Sequence, residues 1–384
     1  MTKILAYRFS AFGDIAMLVP VLKEFLDENP DTEILMVSRK NFKDLFDGIP
    51  RLKFKGVDLK EYEGSFGLKK LSSEILSEFQ PDMVADFHNV LRSNILNFFF
   101  WLKRLPIHKI DKGRKEKKQL IDTKNLNKTQ LKKNTERYAD VLRKMGFSLT
   151  LSHQLRPQQG IKNGVGFAPF AQHFGKMLPL EKSFELAKEI AKEKPLFFFG
   201  GGKKEVEILS EWEKQIPNSE SLAGKLSLKQ ELEKISQLEL MISMDSANMH
   251  LASLVGTRCI SIWGQTHPYA GFLGYGQSEE DIVQVNDLAC RPCSVFGNKE
   301  CYRGDWACLH NIDIKNILRK MEKIMEMNLE NTKKNFNDLK RMIYLIYKNY
   351  RDGETQILAI SLTYYSLLAV FPFVALVLGI TRGF

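Results

Sequence analysis

Ile4-Leu5-Ala6-Tyr7 followed by Arg8-Phe9-Ser10-Ala11-Phe12-Gly13-Asp14 decides how the chain is read. Four apolar residues form a short strand, Arg8 to Gly13 form a loop, and Asp14 opens a helical pattern in which Ile15, Leu18, Val19, Leu22 and Phe25 repeat at helical spacing. A strand, a turn and a crossover helix begin a parallel α/β sheet. Apolar runs at Ile34 to Val37 and Met83 to Asp86, separated by helical stretches, continue that alternation. After Arg156-Pro157 it starts afresh, with expected strands at Gly164 to Ala168, Pro195 to Phe199, Leu238 to Ser243 and Arg258 to Trp263. The fold class is therefore α/β, with two Rossmann-like domains at 1–158 and 159–328. Residues 329–384 form a basic segment leading to Ile357 to Ile380, 24 residues without a charge and long enough to cross a bilayer as a helix. Lys333, Lys334, Lys340, Arg341, Lys348 and Arg351 precede that stretch, which puts the enzyme on the cytoplasmic side of the membrane.

The composition of the 384 residues, 44% hydrophobic and 27% charged, belongs to a folded globular protein and excludes general disorder. From Lys103 to Lys144 there are 15 Lys and Arg against 5 Asp and Glu, which accounts for the whole net charge of +10. Such a block suits an anionic membrane surface or a phosphorylated glycolipid, or else forms a solvated face. It lacks the interleaved aromatics or module of a nucleic-acid binder, so nucleic acid is not an expected partner. No basic n-region and apolar h-region precede the first strand, which again points to the cytoplasm.

Ligands of open α/β sheets bind beyond the carboxyl ends of the strands, and the candidate residues fall there. Asp14 can take a proton from an acceptor hydroxyl as general base, or it can cap its helix. Lys176, in Lys176-Met177-Leu178-Pro179, offers a point charge to a diphosphate, although an isolated lysine of this kind is commonly a surface residue. Gly200-Gly201-Gly202-Lys203-Lys204-Glu205 brings backbone close to a nucleotide, with Glu205 placed to reach a ribose, or it serves tight packing. Asp245-Ser246-Ala247-Asn248-Met249-His250 joins a strand end to a helix start. Its backbone N–H groups suit a pyrophosphate, Asp245 suits sugar hydroxyls, and His250 is either a site residue or a core histidine. Cys290, Cys293, Cys301 and Cys308 crowd one loop and permit two readings, a structural zinc site or free thiols.

The Gly13-Asp14 loop, Lys176 to Pro179, Asp245 to His250, Gly264-Gln265-Thr266-His267-Pro268 and Cys290-Arg291-Pro292-Cys293 together resemble the ADP-heptose:lipopolysaccharide heptosyltransferases, glycosyltransferase family 9, over about residues 1 to 320. The resemblance implies a GT-B fold, an acceptor-binding first half, a donor-binding second half, and an inverting, metal-independent transfer that needs no cofactor. It also implies Asp14 as catalytic base, Lys176 as phosphate-binding lysine, and Asp245, Ser246, Ala247 and His250 as the donor loop, with Glu205 beside them. Ala247 departs from the family, which often has Gly there. His88, Arg92, Lys112 and Arg114 resemble the acceptor side. The expected donor is ADP-L-glycero-D-manno-heptose, and the expected acceptor is a phosphorylated lipopolysaccharide core or other glycolipid at the inner-membrane surface. Transfer of another sugar, or a membrane-tethered protein that only binds a sugar nucleotide, are the alternatives. The tail from about Asn335 resembles instead the start of YihY/BrkB-like inner-membrane proteins.

Overall fold

In the computed structural model, residues 1–351 are described except 126, 159 and 161, with side chains described except at 329, 331–337 and 349–351. Met1–Met321 form one compact unit holding two sheets. The first contains β1 (Thr2–Tyr7), β2 (Thr32–Arg39), β3 (Leu52–Val57), β4 (Met83–Asp86) and β5 (Ile107–Lys109), in the order β3-β2-β1-β4-β5. The second contains β6 (Val165–Ala168), β7 (Leu196–Phe198), β8 (Ser219–Ser221), β9 (Leu240–Met244), β10 (Cys259–Trp263) and β11 (Ile282–Gln284), in the order β11-β10-β9-β6-β7-β8. Every pairing is parallel. This is the two-sheet α/β architecture the sequence leads one to expect.

The expected strands are the central ones. Ile4 to Tyr7, Val165 to Ala168 and Leu240 to Met244 are buried on both faces and therefore read as unbroken apolar runs. β3, β5, β8 and β11 lie at or next to the sheet edges, where charged and polar residues such as Lys53, Lys55 and Glu220 interrupt the pattern. Strand order reverses direction at β1 and β4 in the first sheet and at β6 and β9 in the second. At such switch points the loops diverge and leave a crevice beyond the strand ends. Asp14 follows β1, Lys176 follows β6 and Asp245 follows β9.

Beyond Met321 the helix Ile314–Arg351 continues into a second unit, with Met342 to Tyr347 exposed along it. Among the described residues no helix is long and apolar enough to cross a membrane. The span expected at 357–380 lies outside the described residues.

One buried cation fixes the loops at the end of β10. Arg291 donates to the carbonyls of Gly264 (2.5 Å), Trp263 (3.1 Å), Thr266 (2.8 Å) and Val285 (2.6 Å) and to Oε1 of Gln284 (3.1 Å). Burial pulls its guanidinium down to about 10, still charged at neutral pH. Arg291→Met would leave those carbonyls buried without donors and is expected to cost roughly 3 kcal/mol or more. Urea unfolding of the two proteins measures this, and unchanged midpoints would show that the loops are held by other contacts.

Candidate functional site

The helix Phe12–Glu28 starts directly after the β1 loop and carries Asp14 in its first turn. Gly13 is the reason the helix start can reach the second half of the protein. A Cβ on Gly13 would stand 3.0 Å from Cδ2 of His250, in the helix Ala247–Leu254 that follows β9. Two helix N-termini, one from each sheet, thus meet with almost no side-chain volume between them.

Three groups hold Asp14. Nη2 of Arg8 lies 2.5 Å from Oδ2, the Tyr138 hydroxyl donates to Oδ1 at 3.3 Å, and the Ala11 N–H donates to Oδ2 at 3.4 Å. Arg8 is itself buried, donates to the Phe87 carbonyl at 2.5 Å and lies over the Tyr138 ring. Burial pushes the Tyr138 phenol well up, so it remains a neutral donor.

Asp14 shares a cavity of about 350 Å³ with Lys176, Glu205, Asp245, Ser246, Ala247 and His250. Within it Lys176 Nζ pairs with Asp245 Oδ2 at 2.9 Å, and the Thr266 hydroxyl donates to the same oxygen at 2.8 Å. Lys176 reaches that position because Gly297, at φ +74°, leaves room where a Cβ would meet its Cγ at 2.6 Å. The Lys176 loop is stitched to its neighbours by Gln265 N–H to the Gly175 carbonyl (2.8 Å) and Gly175 N–H to the Gly297 carbonyl (3.2 Å). Ser246 precedes the first turn of Ala247–Leu254, whose free N–H groups and positive dipole end lie beside the cavity. His250 is buried with Nδ1 unpartnered, and burial pulls it down to about 4, so it contributes no charge at neutral pH. Glu205 Oε2 accepts the N–H groups of Gly201 (2.9 Å) and Gly202 (3.2 Å), so that oxygen is occupied by its own loop.

A second cavity, of about 400 Å³, also has Asp14 in its wall, together with Arg8, Lys112, Arg114, Lys117 and Lys118. Phe272, Val295 and Phe296 line both cavities, so Asp14 stands where the two meet. Lys117 Nζ donates to Asn134 Oδ1 at 3.0 Å and lies 4.3 Å from the centre of the Phe272 ring. Burial, with Arg137 adding to it, lowers the Lys117 ammonium to about 8.

The four residues expected on the acceptor side feel one another's charge, since Lys112 and Arg92 both act on His88 and Arg114 acts on Lys112, but they line different surfaces. Lys112 and Arg114 come to Asp14. Arg92 lines a different cavity with Arg39, Lys40 and Lys60. His88 is buried beneath the β1 loop with Nε2 3.2 Å from the Ser10 hydroxyl, and burial holds it neutral by lowering it to about 3. Arg8, Tyr138 and Lys117 were not among the expected residues. Arg8 lies in the opening loop and Lys117 in the basic block three residues after Arg114, so both could have been noticed, but Tyr138 comes from a distant helix with no local signal.

Among the described residues no disulfide joins the cysteines, and four of them, Cys290, Cys293, Cys301 and Cys308, line one small cavity around Arg291. Among the described residues no group of three or more His, Cys, Asp or Glu is arranged to hold a metal ion. The zinc reading of Cys290, Cys293, Cys301 and Cys308 therefore finds no ligand cage in this arrangement.

Comparison with known proteins bears on the whole of this architecture. The model of glycosyltransferase family 9 (heptosyltransferase) matches residues 73–302. Lipooligosaccharide heptosyltransferase 2 of Campylobacter jejuni subsp. jejuni serotype O:2 is 23% identical over 327 residues, covering 82% of this chain and 95% of that protein. The glycosyl transferase family 9 structure from Veillonella parvula DSM 2008 has a TM-score of 0.65 at 17% identity, over 85% of this chain and 98% of that one. The E. coli ADP-heptose lps heptosyltransferase II structure gives 0.62 at 16% identity, over 85% and 99%. At those identities the structures speak for the fold, whereas the family match spans more than half of the sequence. The chain belongs to glycosyltransferase family 9, and it is a glycosyltransferase.

Proposed function

We propose that this enzyme moves a heptose from ADP-L-glycero-D-manno-heptose to a lipopolysaccharide-core acceptor, with inversion and without a metal ion. The observation that carries the reading is the position of Asp14 in the wall of two cavities, one with Lys176 and a helix N-terminus, the other with five Lys and Arg side chains. The first suits the diphosphate of a sugar nucleotide, and the second suits an anionic acceptor. The matched relatives, named as heptosyltransferases, support heptose as the sugar.

In this reading the Asp14 carboxylate takes the proton of an acceptor hydroxyl as that oxygen bonds to the anomeric carbon. The bond from that carbon to the β-phosphate oxygen breaks, and the nucleoside diphosphate leaves with the bonding pair. Attack from the face opposite the leaving group inverts the anomeric centre. Arg8 and Tyr138 keep the carboxylate aimed across the junction of the cavities. The growing negative charge on the leaving diphosphate is met by Lys176 and by the N–H groups after Ser246. Asp245 orients Lys176 in the empty site and is released to the sugar hydroxyls when the lysine turns to the phosphates. Glu205 offers its remaining oxygen, Oε1, to the ribose. Residues 1–158 hold the acceptor, residues 159–328 the donor, and the enzyme works at the cytoplasmic face of the inner membrane, where residues 329–384 help to keep it.

Asp14→Asn keeps the shape of the side chain and removes the base, so kcat is expected to fall roughly 10²- to 10⁴-fold with donor binding little changed. Acceptor-dependent ADP release, with donor binding followed by calorimetry, checks it. A variant within threefold of the parent would remove Asp14 from the chemistry. Lys176→Gln is expected to lower kcat by about 10²-fold or more while raising the donor Kd. Lys117 carries its proton only below about pH 8. Acceptor kcat/KM should therefore decline as pH rises through that value, and Lys117→Arg, which stays charged, should remove the decline. Persistence of the decline in the arginine variant would assign it to another group.

A further inference from the structure

The helix Leu91–Leu102 turns one face to the first sheet, burying Ser93, Leu96, Asn97 and Phe100. The opposite face is apolar and open to solvent. Leu91 is 78% exposed, Phe98 52%, Trp101 63% and Leu102 54%, and the Phe98 and Trp101 rings stack with centroids 6.1 Å apart. Leu91, Phe98 and Leu102 repeat at i, i+7 and i+11 and so form a stripe along one side of the helix. The neighbouring helix Gly64–Glu78, which packs against this one, exposes Phe66 to 87%. A soluble surface rarely gathers so many large apolar side chains without a use for them.

The charge around the stripe decides among possible occupants. Arg92, Lys103, Arg104 and Lys109 flank it, and no Asp or Glu occurs between Leu91 and Ile110. A second copy of the chain would bring the same basic face against this one, at a Coulomb cost. An anionic lipid surface meets both needs, since its headgroups pair with the cations and its acyl boundary takes the aromatic and leucine side chains. Tryptophan and phenylalanine beside lysine and arginine are the residues that settle at such a boundary.

We propose that the exposed face of Leu91–Leu102 seats the protein on an anionic bilayer, with Phe98, Trp101 and Leu102 entering the headgroup region. The inference rests on the glycolipid acceptor proposed above, whose lipid portion remains in that bilayer. The helix leaves β4 at the carboxyl edge of the first sheet, the edge that also bears Asp14. Arg92, one residue into the helix, lines the cavity formed with Arg39, Lys40 and Lys60. The docking face therefore begins at the same sheet edge as Asp14, and the cations at its Arg92 end are placed to pair with anionic headgroups.

The test uses the full chain and vesicles of phosphatidylcholine with phosphatidylglycerol, some of it bromine-labelled in the acyl chains. The unaltered protein should bind anionic vesicles more tightly than neutral ones, to which residues 329–384 alone would hold it. The triple variant Phe98→Ser, Trp101→Ser, Leu102→Ser should bind anionic vesicles roughly tenfold less tightly or worse. It should keep turnover on a deacylated, soluble acceptor within twofold, which shows that it folds. Bromolipid quenching of tryptophan emission should largely disappear in Trp101→Phe. Equal vesicle binding by the triple variant, or quenching that survives Trp101→Phe, would overturn the proposal and place the contact elsewhere on the chain. Failure of heptose transfer to any core acceptor, with vesicle binding intact, would overturn the glycolipid reading and leave the docking face standing.

Discussion

The near-contact of Gly13 with His250 is where the two sheets' helix starts come together at the crevice. A parallel sheet sends all its strand ends, and the N-termini of the helices that follow them, toward one edge. Two such edges become a single site only if they come close enough for a base on one and an anion-binding turn on the other to reach the same small molecule. Here the approach is made between backbone and an uncharged imidazole. A Cβ at position 13 would crowd the His250 ring, which would have to yield by a few tenths of an ångström, and burial keeps His250 neutral, so no charge is trapped in the contact.

Around that contact the charges are arranged in compensated pairs. Asp14 answers Arg8, Lys176 answers Asp245, and both acidic partners take a further hydrogen bond from a hydroxyl group. Uncompensated positive charge is concentrated instead in the neighbouring cavity, where Lys112, Arg114, Lys117 and Lys118 surround a single carboxylate. Lys117 has its ammonium lowered chiefly by burial, with Arg137 adding to it. The two cavities thus differ in field although they share Asp14, Phe272, Val295 and Phe296.

Much of this was legible in the sequence where one element carries its own signal. The central strands are buried on both faces and read as apolar runs, and the turns after them carry Gly13-Asp14, Lys176 and Asp245-Ser246. The edge strands β3 and β5 were not legible, because one side of an edge meets water and takes lysine. Tyr138 was out of reach for a different reason: its hydrogen bond to Asp14 joins residues 124 apart. His88 shows the opposite limit. The sequence puts His88 and Arg92 just after β4 but does not tell that His88 packs under Ser10 while Arg92 lines a cavity with Arg39 and Lys40. Sequence order places a residue at an edge, but tertiary packing decides which way it faces.

The pairing of Lys176 with Asp245 bears on what the empty enzyme ignores. A lysine already matched by a carboxylate at 2.9 Å presents little net attraction to a passing ion. An anion that binds the lysine has to part the pair and leave the carboxylate to find another donor. A sugar nucleotide brings hydroxyls for the acid along with oxygens for the base, and so can exchange both partners at once. The empty crevice is thus close to neutral at this point, and its selectivity for a ligand lies in the exchange of two partners and not in a standing charge.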